Sequence, residues 1–306
     1  MTFPATPRTL FISPQQKALR NRNLQTSFEC ILIEVATEEP DNLTEYEHMC
    51  LGKGDDNDFD IVYHIDDNNG VVTDNIDGLN IMQHSGRYKI IMTNVIVDND
   101  PVVTTTAQTQ VSVEDMGMTR KLAGATIGPR TMVIFRVSGA DAAPSKTSAE
   151  IADAFFGSAG DPNNLKSRYD ACSFGKLQMN PGTGPDFTNG VAEITIATRM
   201  IGSENIAIQD VVTQAIIAKY GSSLRDKYDH VVYALPRGTR MGKGGTDRWL
   251  AYAYMNSYLS VYNDDNIVYI SNQVHETGHN LGLMHSNHGE QKYGDQSGTM
   301  GYGYGQ

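Results

Sequence analysis

Residues 275–285 read HETGHNLGLMH. On a helix, positions four apart lie one turn apart on one face, so His275 and His279 can aim both imidazoles at one ion. Glu276 lies about 100° further round the helix, where it can reach the ion's outer shell without ligating. Gly282 can take the left-handed conformation that ends a helix. The chain can then turn and return His285 to the same point. Three neutral imidazoles and one open position make a catalytic zinc site with a single ion, rather than a closed structural one. Zinc lowers the pKa of its bound water towards 7, and a carboxylate placed as Glu276 is can take the proton as that water attacks a carbonyl.

The competing reading is a chance grouping of ordinary histidines. With His at roughly 2%, Glu at roughly 6% and Gly at roughly 7% of residues, the five fixed positions recur by accident in about one chain of this size in 10⁵. H-E-x-x-H alone is far weaker; the extension through Gly282 and His285 carries the signal. His288 stands three residues beyond the motif. It reads as a solvated loop residue, because three protein ligands already suffice for a catalytic zinc. His48, His64, His84 and His230 are scattered and receive no role.

The elements that must position this motif change character along the 306 residues. Between Glu29 and Asp115 there are 19 Asp/Glu against three Lys/Arg, so this block is more acidic than the whole chain at −12. Such a balance argues against binding nucleic acid or an anionic membrane through bulk charge. No apolar run is long enough to span a bilayer, and the first 25 residues contain no signal-peptide core. Strand-like runs at 30–35, 60–65, 87–97 and 101–113 are separated by Asx/Gly clusters that read as turns. Residues 1–128 therefore read as a β-rich acidic domain ending in a Gly-rich basic linker. From 129 the texture becomes mixed α/β. Strands are expected at 132–137, 174–179, 191–197 and 229–235, with more strand within 248–270. Helices are expected at 148–156, capped by Ser145 or Thr147, at 205–220, closed by Gly221, and at 271–281, which carries the motif.

Beyond the motif comes GDQSGTMGYGY, with Met300 fifteen residues after His285. Metzincins follow their third histidine with a tight turn that holds a methionine beneath the metal. The phrases SNQVHETGHNLGLMHS and YGDQSGTMGYGY, with TMVIFRVSGADAAPSKTSAEIADAFFG and YDACSFGKL upstream, resemble the gametolysin-type metallopeptidases over roughly residues 130–306. The resemblance implies a metzincin-like α+β protease domain and a zinc endopeptidase acting on extracellular-matrix or cell-wall glycoproteins, located outside the cell or in its wall. It implies His275, His279 and His285 as ligands, Glu276 as general base and Met300 as the hydrophobic floor. Tyr302 would touch zinc or stabilise the tetrahedral intermediate, against the plain alternative of a tyrosine in a Gly/Tyr-rich tail. Metzincin domains continue past the methionine turn into a packed helix, and this chain ends six residues after Met300, so the domain reads as truncated there.

Some metzincins are held latent by a pro-segment thiolate on the metal. Neither Cys30 nor Cys50 has the expected context, so both read as structural thiols or a disulfide, and Cys172 as structural. The acidic clusters at 55–60, 66–70 and 74–78 lack the spacing of a calcium loop and read as solvated turns. The sequon at Asn42 carries little weight, and Arg120-Lys121 stands where a processing site would release an acidic pro-domain. Two further readings stay open: a catalytically inactive zinc-stabilised matrix or binding protein, and an enzyme for a non-peptide amide or ester.

Overall fold

The computed structural model describes residues 23–38, 46–52, 61–77, 79, 88–97, 102–116, 127–221, 224–242, 245–286, 295 and 297–301. The Asn42 sequon, the acidic run at 55–60, His84, Arg120-Lys121, His288 and Tyr302 lie outside these residues.

The N-terminal strands are β1 (Asn23–Gln25), β2 (Phe28–Glu38), β3 (Tyr46–Gly52), β4 (Ile61–Asp66), β5 (Tyr88–Thr93), β6 (Val95–Val97), β7 (Val102–Thr104) and β8 (Gln110–Asp115), with helix α1 (Val71–Ile76) between β4 and β5. After residue 127 come β9 (Gly128–Ser138), α2 (Ser148–Phe156), α3 (Leu165–Cys172), β10 (Leu177–Pro181), β11 (Val191–Thr195), α4 (Asn205–Tyr220), α5 (Leu224–Lys227), β12 (His230–Leu235), β13 (Ala251–Tyr254), β14 (Leu259–Asn263), a 3-10 turn (Asp264–Val268) and α6 (Ile270–Asn280). Among the described residues all the strands join one sheet, in the order β1-β6-β7-β4-β3-β2-β13-β14-β12-β9-β10. There β11 also pairs β9, and β5 and β8 branch from β2. Beyond β2, strands β9, β10, β11, β12 and β14 run parallel to one another, and β13 runs antiparallel to both β14 and β2. The mixed sheet with helices on both faces is α+β.

Side-chain alternation explains the layering. Val133, Phe135, Tyr233, Leu235, Tyr252 and Tyr254 face one core with Ile206, Val212 and Ile216 of α4. Met132, Ile134, Val232, Ala234, Ala251 and Tyr262 face the other, with α2, α3 and the root of α6. On β2 the same period sends Ile31 and Ile33 into the α4 core and Cys30 and Leu32 into a third core shared with β5.

Helices α2 and α4 run over the expected residues. Thr147 is the cap of α2: its hydroxyl accepts from the Glu150 amide while the Glu150 carboxylate accepts from the Thr147 amide. Gly221 closes α4 at φ 72. The strand expected at 174–179 starts at Leu177, because Phe174 and Gly175 both take positive φ and turn the chain. The Asx/Gly cluster at 66–70 is a turn only up to Gly70; residues 74–76, read as turn, are helical in α1. The Asp67 carboxylate accepts from the amides of Val72 and Thr73 and so caps that helix. Burial opposes the Asp67 charge, but these bonds outweigh it and lower the carboxyl's pKa. Cys30 and Cys50 form a disulfide across β2 and β3, and Cys172 is free and exposed.

Candidate metal centre

Helix α6 is held on three sides before any histidine is considered. Gln273 Nε2 donates to the Ile267 carbonyl at 2.7 Å, and the Tyr169 hydroxyl of α3 donates to the Val274 carbonyl at 2.9 Å. At the other end, Asn280 Nδ2 donates to the carbonyls of Tyr254 and Leu259, at 3.0 and 2.9 Å, which clamps the β13–β14 turn to the helix. The Asn256 amide of that turn donates to the His279 carbonyl at 2.8 Å.

The helix stops in a Schellman motif. Gly282 has φ 85; its amide donates to the His279 carbonyl, and the Leu283 amide to the Gly278 carbonyl, both at 2.9 Å. The left-handed glycine reverses the chain and brings His285 back. The three Nε2 atoms then converge: His279 to His275 at 3.0 Å, His279 to His285 at 3.0 Å and His285 to His275 at 3.1 Å. All three side chains are buried.

The tautomers follow from the carbonyls behind the rings. His275 Nδ1 donates to the Thr299 carbonyl at 2.7 Å and His279 Nδ1 to the Leu283 carbonyl at 2.9 Å. A neutral ring that donates from Nδ1 carries its lone pair on Nε2. Lone pairs converging at this distance repel one another unless a cation lies between them. Tetrahedral zinc with Zn–N near 2.0–2.1 Å would set its nitrogens about 3.3 Å apart, close to the spacing found. Among the described residues, this is the one group of His, Cys, Asp or Glu side chains able to offer three ligand atoms to one metal ion.

Glu276 is 1% exposed and contributes no atom to that group. It lies beside Tyr262 of β14, whose phenol is pushed well above its ordinary range by burial first and by the Glu276 charge second. Met300 is buried directly under α6: a Cβ added at Gly278 would stand 2.5 Å from the Met300 sulfur. The loop that carries Met300 is tied to the histidine loop by the Ser286 amide, which donates to the Met300 carbonyl at 2.7 Å. His275, Glu276 and His279 thus share α6, Gly282 turns the chain that returns His285 to the other two histidines, and Met300 lies beneath the helix.

Sequence reasoning missed Asn280, Gly278 and Gln273. A glycine inside a helical pattern signals a close approach, so Gly278 was open to discovery. Asn280 and Gln273 show no such signal, because their partners are distant backbone carbonyls. Of the unassigned histidines, His64 lies 3.6 Å from Glu204. His230 is fully buried, and burial holds its pKa down to about 4.

A histidine triad carried by α6 and the loop after it, with a buried glutamate and a methionine loop nearby, is an arrangement suited to a metal-dependent hydrolase. The model of the gametolysin peptidase M11 family matches residues 130–305, more than half of the chain, and the chain belongs to that peptidase family. No curated protein and no solved structure matches it. Among the described residues no helix is long and apolar enough to cross a membrane.

Proposed function

We propose that the protein is a zinc-dependent endopeptidase with a metzincin-like catalytic domain from about residue 129, preceded by an acidic pro- or accessory domain. The observation that carries this reading is the convergence of the three Nε2 atoms within 3.1 Å beside the buried Glu276. His275, His279 and His285 would hold the ion. Bound zinc supplies Lewis acidity, which acidifies water and polarises a carbonyl.

The chain's own residues do the rest. The Thr299 and Leu283 carbonyls fix the ring orientations of His275 and His279. Glu276 takes a proton from the attacking water and passes it to the leaving amine. Glu276 is buried on the helix that carries two of the three histidines, next in sequence to His275. Met300 holds the underside of α6 against Gly278. The substrate class is protein, with matrix or cell-wall glycoproteins the family-based choice. The Cys30–Cys50 disulfide fits the oxidising exterior that such substrates occupy.

Metal content and casein hydrolysis, read over hours beside Glu276→Ala, test this. About one zinc per chain is expected in both proteins, with hydrolysis reduced roughly 10²- to 10⁴-fold in the variant. Zinc without hydrolysis, also after trimming near Arg120, would favour a zinc-stabilised binding protein. Absence of zinc would refute the reading.

A further inference from the structure

The strand nearest the metal centre has no free edge. Helix α6 packs on β13 and β14, and Asn280 and Asn256 tie the β13–β14 turn to it. One side of β13 pairs with β14. The other side pairs antiparallel with the end of β2, placing Tyr254, Ala253, Tyr252 and Ala251 opposite Val35, Ala36, Thr37 and Glu38. The first half of β2 is not paired with β13: Phe28–Ile31 pair with β5 instead. Along this edge β2 exchanges β5 for β13, while its other edge stays on β3 as far as Ala36.

An extended peptide binds a sheet by making the backbone hydrogen bonds of a new edge strand. Strands lie about 4.8 Å apart, so two of them cannot share one edge. We propose that residues 35–38 are an internal occupant of the substrate strand position, and that the enzyme works only when they leave β13. This rests on the peptidase reading of the site and adds a regulatory contact to it.

The contact is built to open locally. The root of β2 is fixed by the Cys30–Cys50 disulfide and by Ile31 and Ile33 in the α4 core. Beyond that root, residues 34–36 pair with the first residues of β3, so the tip can peel away as the end of a β2–β3 hairpin. The cores need not unfold. Local openings of this kind cost less than global unfolding. An occupant tethered this closely acts at an effective concentration on the order of millimolar, so a segment whose own affinity for the edge is about 0.1 mM weakens any competing substrate roughly tenfold.

Two probes separate the edge from the metal: acetohydroxamate, which needs the ion alone, and an extended peptide hydroxamate, which needs the ion and an edge. Both are titrated calorimetrically onto the zinc-loaded full chain and onto Ala36→Pro and Thr37→Pro. Neighbouring amides on a strand point to opposite sides, so one of the two prolines deletes a donor facing β13 and the other does not. The expected result is peptide affinity at least tenfold higher in the variant that loses the donor facing β13, within threefold of wild type in the other, and acetohydroxamate affinity equal in all three. Equal peptide affinity in wild type and in a variant whose 251–254 amides exchange faster overturns the inference. If the proline variants do not fold, hydrogen exchange on the wild type decides. Saturating peptide should speed exchange over residues 35–38 while residues 251–254 stay slow; unchanged protection of 35–38 with peptide bound overturns the inference alone. Binding of neither hydroxamate overturns the metal-centre reading, and the inference with it.

Discussion

Gly278→Ala sets two effects of known size against each other. Gly278 sits inside α6, and replacing a mid-helix glycine by alanine ordinarily stabilises by about 1 kcal/mol. Here the new Cβ would stand 2.5 Å from Met300 Sδ, 3.3 Å from its Cε and 3.6 Å from Leu283 Cδ1. Comfortable separation is about 3.5–4.0 Å, so the sulfur must retreat by roughly 1 Å or more. Overpacking of that kind costs about 1–3 kcal/mol, and the metal-free variant should be neutral to about 2 kcal/mol less stable than wild type. The effect on metal should be clearer. The residue before Met300 supplies the carbonyl that accepts from His275 Nδ1 at 2.7 Å. Loss of such an orienting bond typically weakens zinc about 10- to 100-fold.

Zinc affinity by chelator competition and thermal melting of the metal-free protein read the two effects separately. Adding Met300→Ala to Gly278→Ala removes the collision, and the double variant should recover part of the stability lost, with a coupling of roughly 0.5–3 kcal/mol. A Gly278→Ala protein that melts higher than wild type and binds zinc within twofold of it would refute the argument. It would mean that the methionine loop yields without moving the Thr299 carbonyl.

Three further outcomes are expected. Asn280→Ala removes the donor to two buried carbonyls, those of Tyr254 and Leu259; chemical denaturation should show a loss of about 2–4 kcal/mol, and a loss below 1 would contradict the clamp. Replacing Cys30 and Cys50 by serine opens a link spanning 20 residues. Loop-closure entropy then predicts about 3 kcal/mol of lost stability, measured by denaturation of oxidised wild type beside the variant, with reduced wild type expected to match the variant. His230 is held neutral, with its pKa near 4 against about 6.5 in an unfolded chain. The unfolded state therefore takes the proton first as pH falls: stability is intact above about 6.5 and is lost progressively down to 4. The metal-free protein should lose about 3 kcal/mol more over that range than His230→Leu, and parallel pH profiles would sink the idea.

The metal centre was legible because its information is local. His275, Glu276 and His279 share a helix whose 3.6-residue repeat fixes their directions, and Gly282 marks the turn that returns His285. Helices α2 and α4 were legible for the same reason: a cap at Thr147, a stop at Gly221 and apolar residues between. What the sequence hid depends on distant partners. Helix α3 carries little apolar periodicity and is defined by a capping box between Asn164 and Ser167. The Asn280 clamp needs carbonyls 26 and 21 residues away. The pairing of β2 with β13 joins segments more than 200 residues apart, and composition, which changes abruptly near residue 129, gives no sign that the two parts share a sheet.

The double-faced packing of β2 has a consequence for how the molecule can be divided. Ile31, Ile33 and Met49 fill the same core as Tyr252, Tyr254 and Val212, while Cys30, Cys50 and Leu32 fill another. A cut in the segment between β8 and β9 would sever the backbone without separating the pieces. Two bands on a denaturing gel would still elute as one particle from a sizing column. A fragment beginning at residue 129 would show water the apolar side chains that Ile31 and Met49 normally cover, and is expected to be sticky and poorly soluble. Scission and release are therefore distinct events in this protein, and maturation, if it removes the acidic half, has to pull apart a shared interior.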